Sequence, residues 1–232
     1  MAPAIEGARA RARAELTREI KAAARRQLAA EGAQGLSLRA VARELGMASS
    51  ALYRYFPSRD DLLTALIVDA YNALGDAAEQ ALGQAGPGAR ERWHALCGGV
   101  RSWARAHPHE YALLYGSPVP GYAAPEETVA PASRVALLLI GLLREHAGDL
   151  APVAVPRAPR GRLALQAAEL SAVTDAGLPS GLMTRAVIAW TQLFGMVSFE
   201  LFGQLVGSMD PADDFFRYAV DEMADLLGLP EG

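Results

Sequence analysis

A spacing constrains this chain more than any other feature. Apolar residues recur at intervals of three and four along almost its whole length, and no stretch alternates like a half-buried strand. The predicted fold is therefore all-α. Helices are expected at about 13–31, 38–45, 49–55, 59–83, 88–106, 108–115, 126–147, 160–175, 180–206 and 211–227. Gly and Pro punctuate them, at Gly32, Gly46, Pro57, Gly86-Pro87-Gly88, Pro108, Pro118 to Pro125, Pro152 to Pro159, Pro179 and Pro211. The segment from Pro152 to Pro159 reads as the most mobile loop, and no internal repeat is visible.

Charge divides the chain unevenly. Residues 1–59 carry eleven Lys and Arg against five Asp and Glu, whereas residues 60–232 carry eleven against twenty-one. A basic module suits a polyphosphate partner, because each neutralised phosphate releases counterions, and an acidic remainder keeps the rest of the molecule away from it. With 51% hydrophobic residues a real core is available, so a disordered chain is ruled out. Cys97 is the only cysteine, which leaves no intrachain disulfide and no Cys-based zinc site. The basic N-terminus lacks the apolar run of a secretory signal. The longest unbroken apolar run, Val135 to Leu143, is about half of what a membrane span needs. A cytoplasmic protein with no membrane partner is expected.

The densest information lies between Leu36 and Leu63. Ser37 stands at an N-cap position, and Leu38, Val41, Ala42 and Leu45 then form the stripe of a short helix with Arg39, Arg43 and Glu44 opposite. Gly46 supplies a tight turn and a second short helix begins near Ser49, which makes a helix-turn-helix. At 100° per residue, Ala48, Ala51, Leu52, Tyr55 and Phe56 fall on one side of that second helix, and Ser49, Ser50, Tyr53 and Arg54 on the other. The second arc holds hydroxyls and a guanidinium, groups that reach base edges and phosphate oxygens from a helix slim enough for a major groove.

The stretch Leu36-Ser-Leu-Arg-Ala-Val-Ala-Arg-Glu-Leu-Gly-Met-Ala-Ser-Ser-Ala-Leu-Tyr-Arg-Tyr-Phe-Pro-Ser-Arg-Asp-Asp-Leu-Leu63 resembles the DNA-binding domain of the TetR family of regulators, over about residues 16–66. Leu52-Tyr53-Arg54-Tyr55-Phe56, followed by a basic residue and a Leu pair, carries most of the likeness. The resemblance implies a homodimer on a near-palindromic operator, usually repressing, and released when a small-molecule effector binds the C-terminal domain. By position it implies phosphate contacts at Ser37, Tyr53, Arg54 and Arg59, and base or groove contacts at Arg39, Ser49 and Ser50. Ala48 replaces the Ser that commonly caps the recognition helix, and Ser49-Ser50 a frequent Lys-Gly pair, so base specificity does not transfer. Trp190-Thr-Gln-Leu-Phe-Gly-Met-Val-Ser-Phe-Glu-Leu-Phe202 is similar to the WHG type of C-terminal domain in that family, with Phe194 where the pattern has His. His107-Pro-His-Glu-Tyr-Ala-Leu-Leu-Tyr-Gly116 looks like its short middle helix.

The expected organisation is a flexible Arg/Ala-rich arm at 1–15, a three-helix helix-turn-helix domain at 16–57, and a larger helical bundle at 58–232 that dimerises and binds ligand. Arg9, Arg11 and Arg13 of the arm are candidates for further DNA contacts, although their alternation with Ala also suits an extension of the first helix. From Gly181 to Gly207 the chain is apolar nearly all round, too wide an arc for one core. Phe194, Val197, Leu201, Phe202 and Leu205, with Phe216, Val220 and Met223 of the last helix, are therefore assigned to the dimer interface. Trp93, Cys97, Trp103, Tyr111, Tyr115 and Trp190 are candidates to line a ligand pocket.

Catalysis is not expected. The four histidines form no i, i+4 pair, and no Gly-rich phosphate loop, nucleophile elbow or carboxylate pair on a shared helix face is present, so no metal, cofactor or catalytic residue is assigned. Two functional readings remain. One is a ligand-responsive DNA-binding regulator; the other is a dimeric DNA-binding regulator without an effector, whose C-terminal domain serves dimerisation or protein contacts only.

Overall fold

A computed structural model describes residues 2–152 and 158–231 of the chain, with side chains from Gly7 onward. Its described residues form helices α1 (Ala2–Gly35), α2 (Leu38–Glu44), α3 (Ser49–Leu52), α4 (Arg59–Gln84), α5 (Ala89–Ala106), α6 (Pro108–Tyr115), α7 (Val129–Glu145, entered through a 3-10 turn at Glu126–Thr128), α8 (Gly161–Val173), α9 (Ser180–Leu201) and α10 (Asp213–Leu227). The centre of the loop expected at Pro152 to Pro159, residues 153–157, lies outside the described residues.

The chain divides into two compact units. The first comprises residues 1–71 and 109–129, the second 72–108 and 130–232. This differs from a boundary between residues 57 and 58, for a reason found in the packing. Leu62, Leu63 and Leu66 of α4 are buried in the same core as Ile20 and Leu28 of α1, Leu38 and Val41 of α2, and Leu52 and Phe56 at α3. Residues of the 109–129 segment close over it: Glu110 pairs with Arg25 at 3.0 Å, and the Tyr122 hydroxyl lies 2.9 Å from that of Thr64. A three-helix module alone would leave that face of α4 bare.

The expected flexible arm at 1–15 is instead helical from Ala2. Ala and Arg are among the best helix formers, so once Leu16 and Ile20 hold α1 on the core, nothing in the Ala-Arg run stops the helix continuing backwards. The turn after α2 closes as expected from Gly46. The Met47 amide donates to the Ala42 carbonyl (2.8 Å) and the Gly46 amide to Arg43 (3.2 Å), and Gly46 takes φ 65°, a left-handed conformation that would strain any side chain.

In the second unit α9 is the central helix, packed against α5, α8 and α10. Its length and hydropathy suit a membrane span, but here Leu182, Met183, Ala186, Ala189, Leu193, Phe194, Met196 and Val197 are buried in the bundle. Arg101 of α5 fixes the α9–α10 corner: its guanidinium donates twice to Glu200 at 2.7 Å and once to Asp213 at 2.8 Å, and lies over the Phe216 ring. The paired guanidinium holds the Asp213 carboxyl below its ordinary range. The helix expected to reach residue 206 ends at Leu201, because Gly203 turns left-handed (φ 79°) and the Gln204 amide closes back on the Phe199 carbonyl.

Candidate nucleic-acid interface

The surface of the first unit gathers most of the residues expected to meet DNA. α3 is a single turn, Ser49–Leu52, shorter than the expected 49–55, with residues 53–55 continuing as turns. Leu52 is fully buried and Phe56 nearly so, while Ser49, Ser50, Tyr53 and Arg54 are all exposed. The two arcs of the wheel thus separate as expected, except at Ala48, which is exposed and offers no capping side chain. Tyr53 keeps 42% of its surface open, which no packing requirement explains.

Ser37, Arg39, Tyr53 and Arg59 line one open depression of about 440 Å³, completed by Leu36, Leu38, Pro57 and Ser58. They have different freedoms there. Ser37 caps α2, its Oγ accepting from the Ala40 amide at 3.5 Å, and its own amide donates to Gln27 Oε1 at 3.2 Å. Arg39 is exposed. Arg59, expected as a phosphate contact, spends its guanidinium inside the unit: Nε donates to the Leu36 carbonyl (3.1 Å) and Nη2 to those of Ala33 (2.8 Å) and Gln34 (3.4 Å). Ala33 and Gln34 lie in the last turn of α1, after a break at Gly32 (φ 70°, ψ 176°), and Leu36 follows it, so Arg59 ties this segment to the start of α4. Sequence reasoning missed this role, whose partners lie 23 to 26 residues away. Ser58 begins α4 by accepting from the Asp61 amide at 3.1 Å and donating to its carboxylate.

The other basic residues of α1 are mostly engaged. Lys21 and Arg25 share Asp69 (2.8 and 2.7 Å), and Arg26 pairs with Glu44 (2.7 Å). That leaves Arg39, Arg43 and Arg54 as exposed cations of the helix-turn-helix without an ion pair among the described residues.

The residues expected to line a ligand pocket separate. Trp93 and Cys97 of α5 are fully buried, with Trp93 Nε1 donating to the Val220 carbonyl at 2.9 Å, and burial pushes the Cys97 thiol well above its ordinary range. Trp103 is buried and stacks on His107. Tyr111 and Tyr115 belong to the first unit, where they pack together, and burial pushes the Tyr115 hydroxyl upward. Trp190 alone of the six lies on the described groove of the second unit, between α7, α8 and α9. That groove measures about 410 Å³ and has no charged side chain in its lining. The expected interface residues separate too. Phe194, Val197, Phe216, Val220 and Met223 are buried inside their own chain, Leu201 and Leu205 are half-buried, and of the eight only Phe202 is exposed.

A short helix held across a tight turn from a second, presenting hydroxyls and a guanidinium outward, is the helix-turn-helix of a DNA-binding protein. Comparison with known proteins identifies which. Residues 20–66 match the model of the bacterial regulatory proteins of the tetR family, and residues 93–223 match that of the tetracyclin repressor-like C-terminal domain. The HTH-type transcriptional regulator Rv1816 of Mycobacterium tuberculosis is 38% identical over 219 residues, 88% of each chain. Among solved structures, that of SCO4313 shares 33% identity at a TM-score of 0.75, covering 92% of this chain and 97% of the other. A protein of unknown function from Rhodococcus sp. RHA1 shares 30% at 0.69, covering 93% and 96%. The chain belongs to the TetR family of DNA-binding transcriptional regulators.

The role of Arg59 is open to direct measurement. Arg59→Ala is expected to lower stability to urea by about 1.5 kcal/mol, the scale of hydrogen bonds to a charged group, with Arg59→Lys recovering only part because a compact ammonium does not spread its donors across these carbonyls as the planar guanidinium does. Unchanged stability in both variants would return Arg59 to the free phosphate-binding groups.

Proposed function

We propose that this regulator is a cytoplasmic homodimer that represses from a near-palindromic operator and is released by a small, uncharged effector. The observation that carries the operator reading is the exposed arc Ser49, Ser50, Tyr53 and Arg54, set on a turn whose other side is anchored by Leu52. Tyr53, Ser37 and Arg39, which line the depression, and the exposed Arg54 act on phosphates or groove edges, and Ser49 and Ser50 face the bases.

Dimerisation follows from what α9 and α10 leave outside. Ile188, Gln192, Gly195, Phe199 and Phe202 follow one another at steps of four and three, the seam spacing of packed helices, and Ile188, Phe199 and Phe202 are 48%, 55% and 44% exposed. On α10, Tyr218 is also exposed, at three- and four-residue steps from Phe215 and Glu222. These outward arcs, which keep Phe202 from the residues expected at the interface, form a four-helix bundle with a second copy. One helix-turn-helix reads only a few base pairs, and two held about 34 Å apart read a symmetric site.

The effector reading rests on the groove of the second unit. Leu137, Ile140, Leu170, Val173, Val187 and Trp190 give it apolar walls, and a volume of about 410 Å³ falls in the range of small-molecule sites. Its floor connects mechanically to α4. Arg134, next to groove-lining Ser133 on α7, donates to the Asn72 carbonyl (2.9 Å), Asp76 (2.6 Å) and Glu79 (2.8 Å) on α4, over the bare backbone of Gly75. α4 begins at the helix-turn-helix and ends in the second unit, so a ligand that shifts α7 acts on the helix both units share. Such a ligand lowers DNA affinity only by as much as it prefers the incompetent arrangement, and DNA weakens its binding equally.

Two experiments test the main parts. Arg54→Ala is expected to weaken binding to all duplexes alike and to flatten the salt dependence by about one unit per half-site, whereas changes at Ser49 or Ser50 alter which duplex is preferred. An Arg54→Ala protein with wild-type affinity and salt slope refutes the phosphate role. Phe199→Glu is expected to give folded monomers by sedimentation that lose operator binding. Dimers at micromolar concentration would remove the outward seam from the interface.

A further inference from the structure

Helix α1 continues well beyond the point where its own core contacts end. Leu16 is the first residue of α1 packed against the core of the first unit, yet the helix extends from Ala2. At the junction Arg13 is tied to the end of the recognition helix. Its guanidinium lies over the Tyr55 ring, 5.0 Å from the centroid, and Nη2 donates to the Arg54 carbonyl at 3.4 Å. The extension is thereby fixed beside the same residues that close the proposed DNA surface.

Helical geometry then assigns directions. Arg9 precedes Arg13 by four residues and Ile20 by eleven, which places all three within about 40° on one face, with Arg9 about 6 Å farther along the axis than Arg13. Ile20 is fully buried against the helix-turn-helix, so Arg9 overhangs the end of that body on its own side, past Tyr55 and Arg54. Arg11 lies about 160° from Arg13 and points away. Arg9 is exposed, and Glu15, the first acid of α1 whose side chain is described, pairs with Arg18. Arg9, Arg13 and Arg54 thus form a cationic edge at one end of the recognition helix.

We infer that Arg9, held in place by Arg13 on Tyr55, grips the phosphate backbone just outside each operator half-site, making the N-terminal extension of α1 a rigid third element of the DNA interface. This rests on the operator reading given above and adds to it a residue and a partner surface: the sugar-phosphate edge flanking the sequence read by α3. A polyanion is the occupant that a one-sided row of guanidinium groups selects. Because the contact is to phosphate, it adds affinity without adding sequence preference. Arg13 is a positioning residue here.

The two faces of the extension supply their own control, since Arg9→Ala and Arg11→Ala remove the same charge from opposite sides of one helix. Binding of the full-length protein to a duplex recovered by selection from random sequence, and to an unrelated duplex, is measured between 50 and 200 mM salt. Arg9→Ala is expected to reduce the salt slope by about 0.9 per half-site, about 1.8 for the symmetric site, so that the wild-type advantage falls about twelvefold across that range. Arg11→Ala is expected to leave the slope within error of wild type, and neither variant to change the preferred sequence. Arg9→Ala behaving as wild type, or the two variants losing slope equally, overturns the inference and leaves the operator reading intact. A wild-type protein that enriches no duplex overturns both.

Discussion

A one-turn helix has no stability of its own. Forming the first turn fixes several backbone angles for a single hydrogen bond, so α3, with four residues in helical conformation, exists only because the rest of the first unit holds it. Leu52 and Phe56 are the holding groups. Their burial among Ile20, Val41, Leu62 and Leu63 is worth about 1.5–3 kcal/mol for each side chain, enough to outweigh the cost of nucleating one turn. The exposed arc of Ser49, Ser50, Tyr53 and Arg54 is orientated by what lies behind it, and Leu52 is its pivot. The Gly46 turn sets the approach of α2 to α3, and Arg59 ties the segment between α1 and α2 to the start of α4.

The second unit solves a different problem. Its helices have more apolar surface than one core absorbs, and the corner between α9 and α10 has to be fixed for their inward and outward arcs to separate. Arg101 does this, with Glu200 and Asp213 as partners and side-chain exposures of only 11% for Arg101 and 17% for Glu200. A pair this sheltered is costly to break, because the remaining charge stays half-buried without a counterion. With the corner set, Phe194, Val197 and Val220 turn inward and Ile188, Phe199 and Tyr218 outward.

How much of this was legible in the sequence follows from the range of the interactions. Ten helices were readable from periodicity, and the helix-turn-helix from Ser37, Gly46 and the two arcs around Leu52, all of which act within a few residues. The ends of helices were harder to read: Gly203 stops α9 earlier than its apolar pattern suggests, because the pattern records what is buried and not where the backbone turns. The inward and outward arcs of α9 are hard to tell apart for a related reason. A helix apolar on all sides announces two partners, but nothing in its spacing says which arc meets its own chain, so Phe194 and Phe199 were equivalent until α10 was placed. Arg59, Arg13 and Arg134 were beyond reach, since each is defined by partners on another element. Trp93 and Tyr111 looked like cavity walls because large aromatics serve cores and pockets alike.

The central claim is that two recognition surfaces, each centred on Ser49 to Arg54, act together on one symmetric operator. Selection of duplexes from random-sequence DNA by the purified full-length protein tests it most directly. The expected result is enrichment of a near-palindrome whose half-sites lie about one helical turn apart, with the protein bound as a dimer. Enrichment of an isolated half-site, or of no sequence at all, would contradict it.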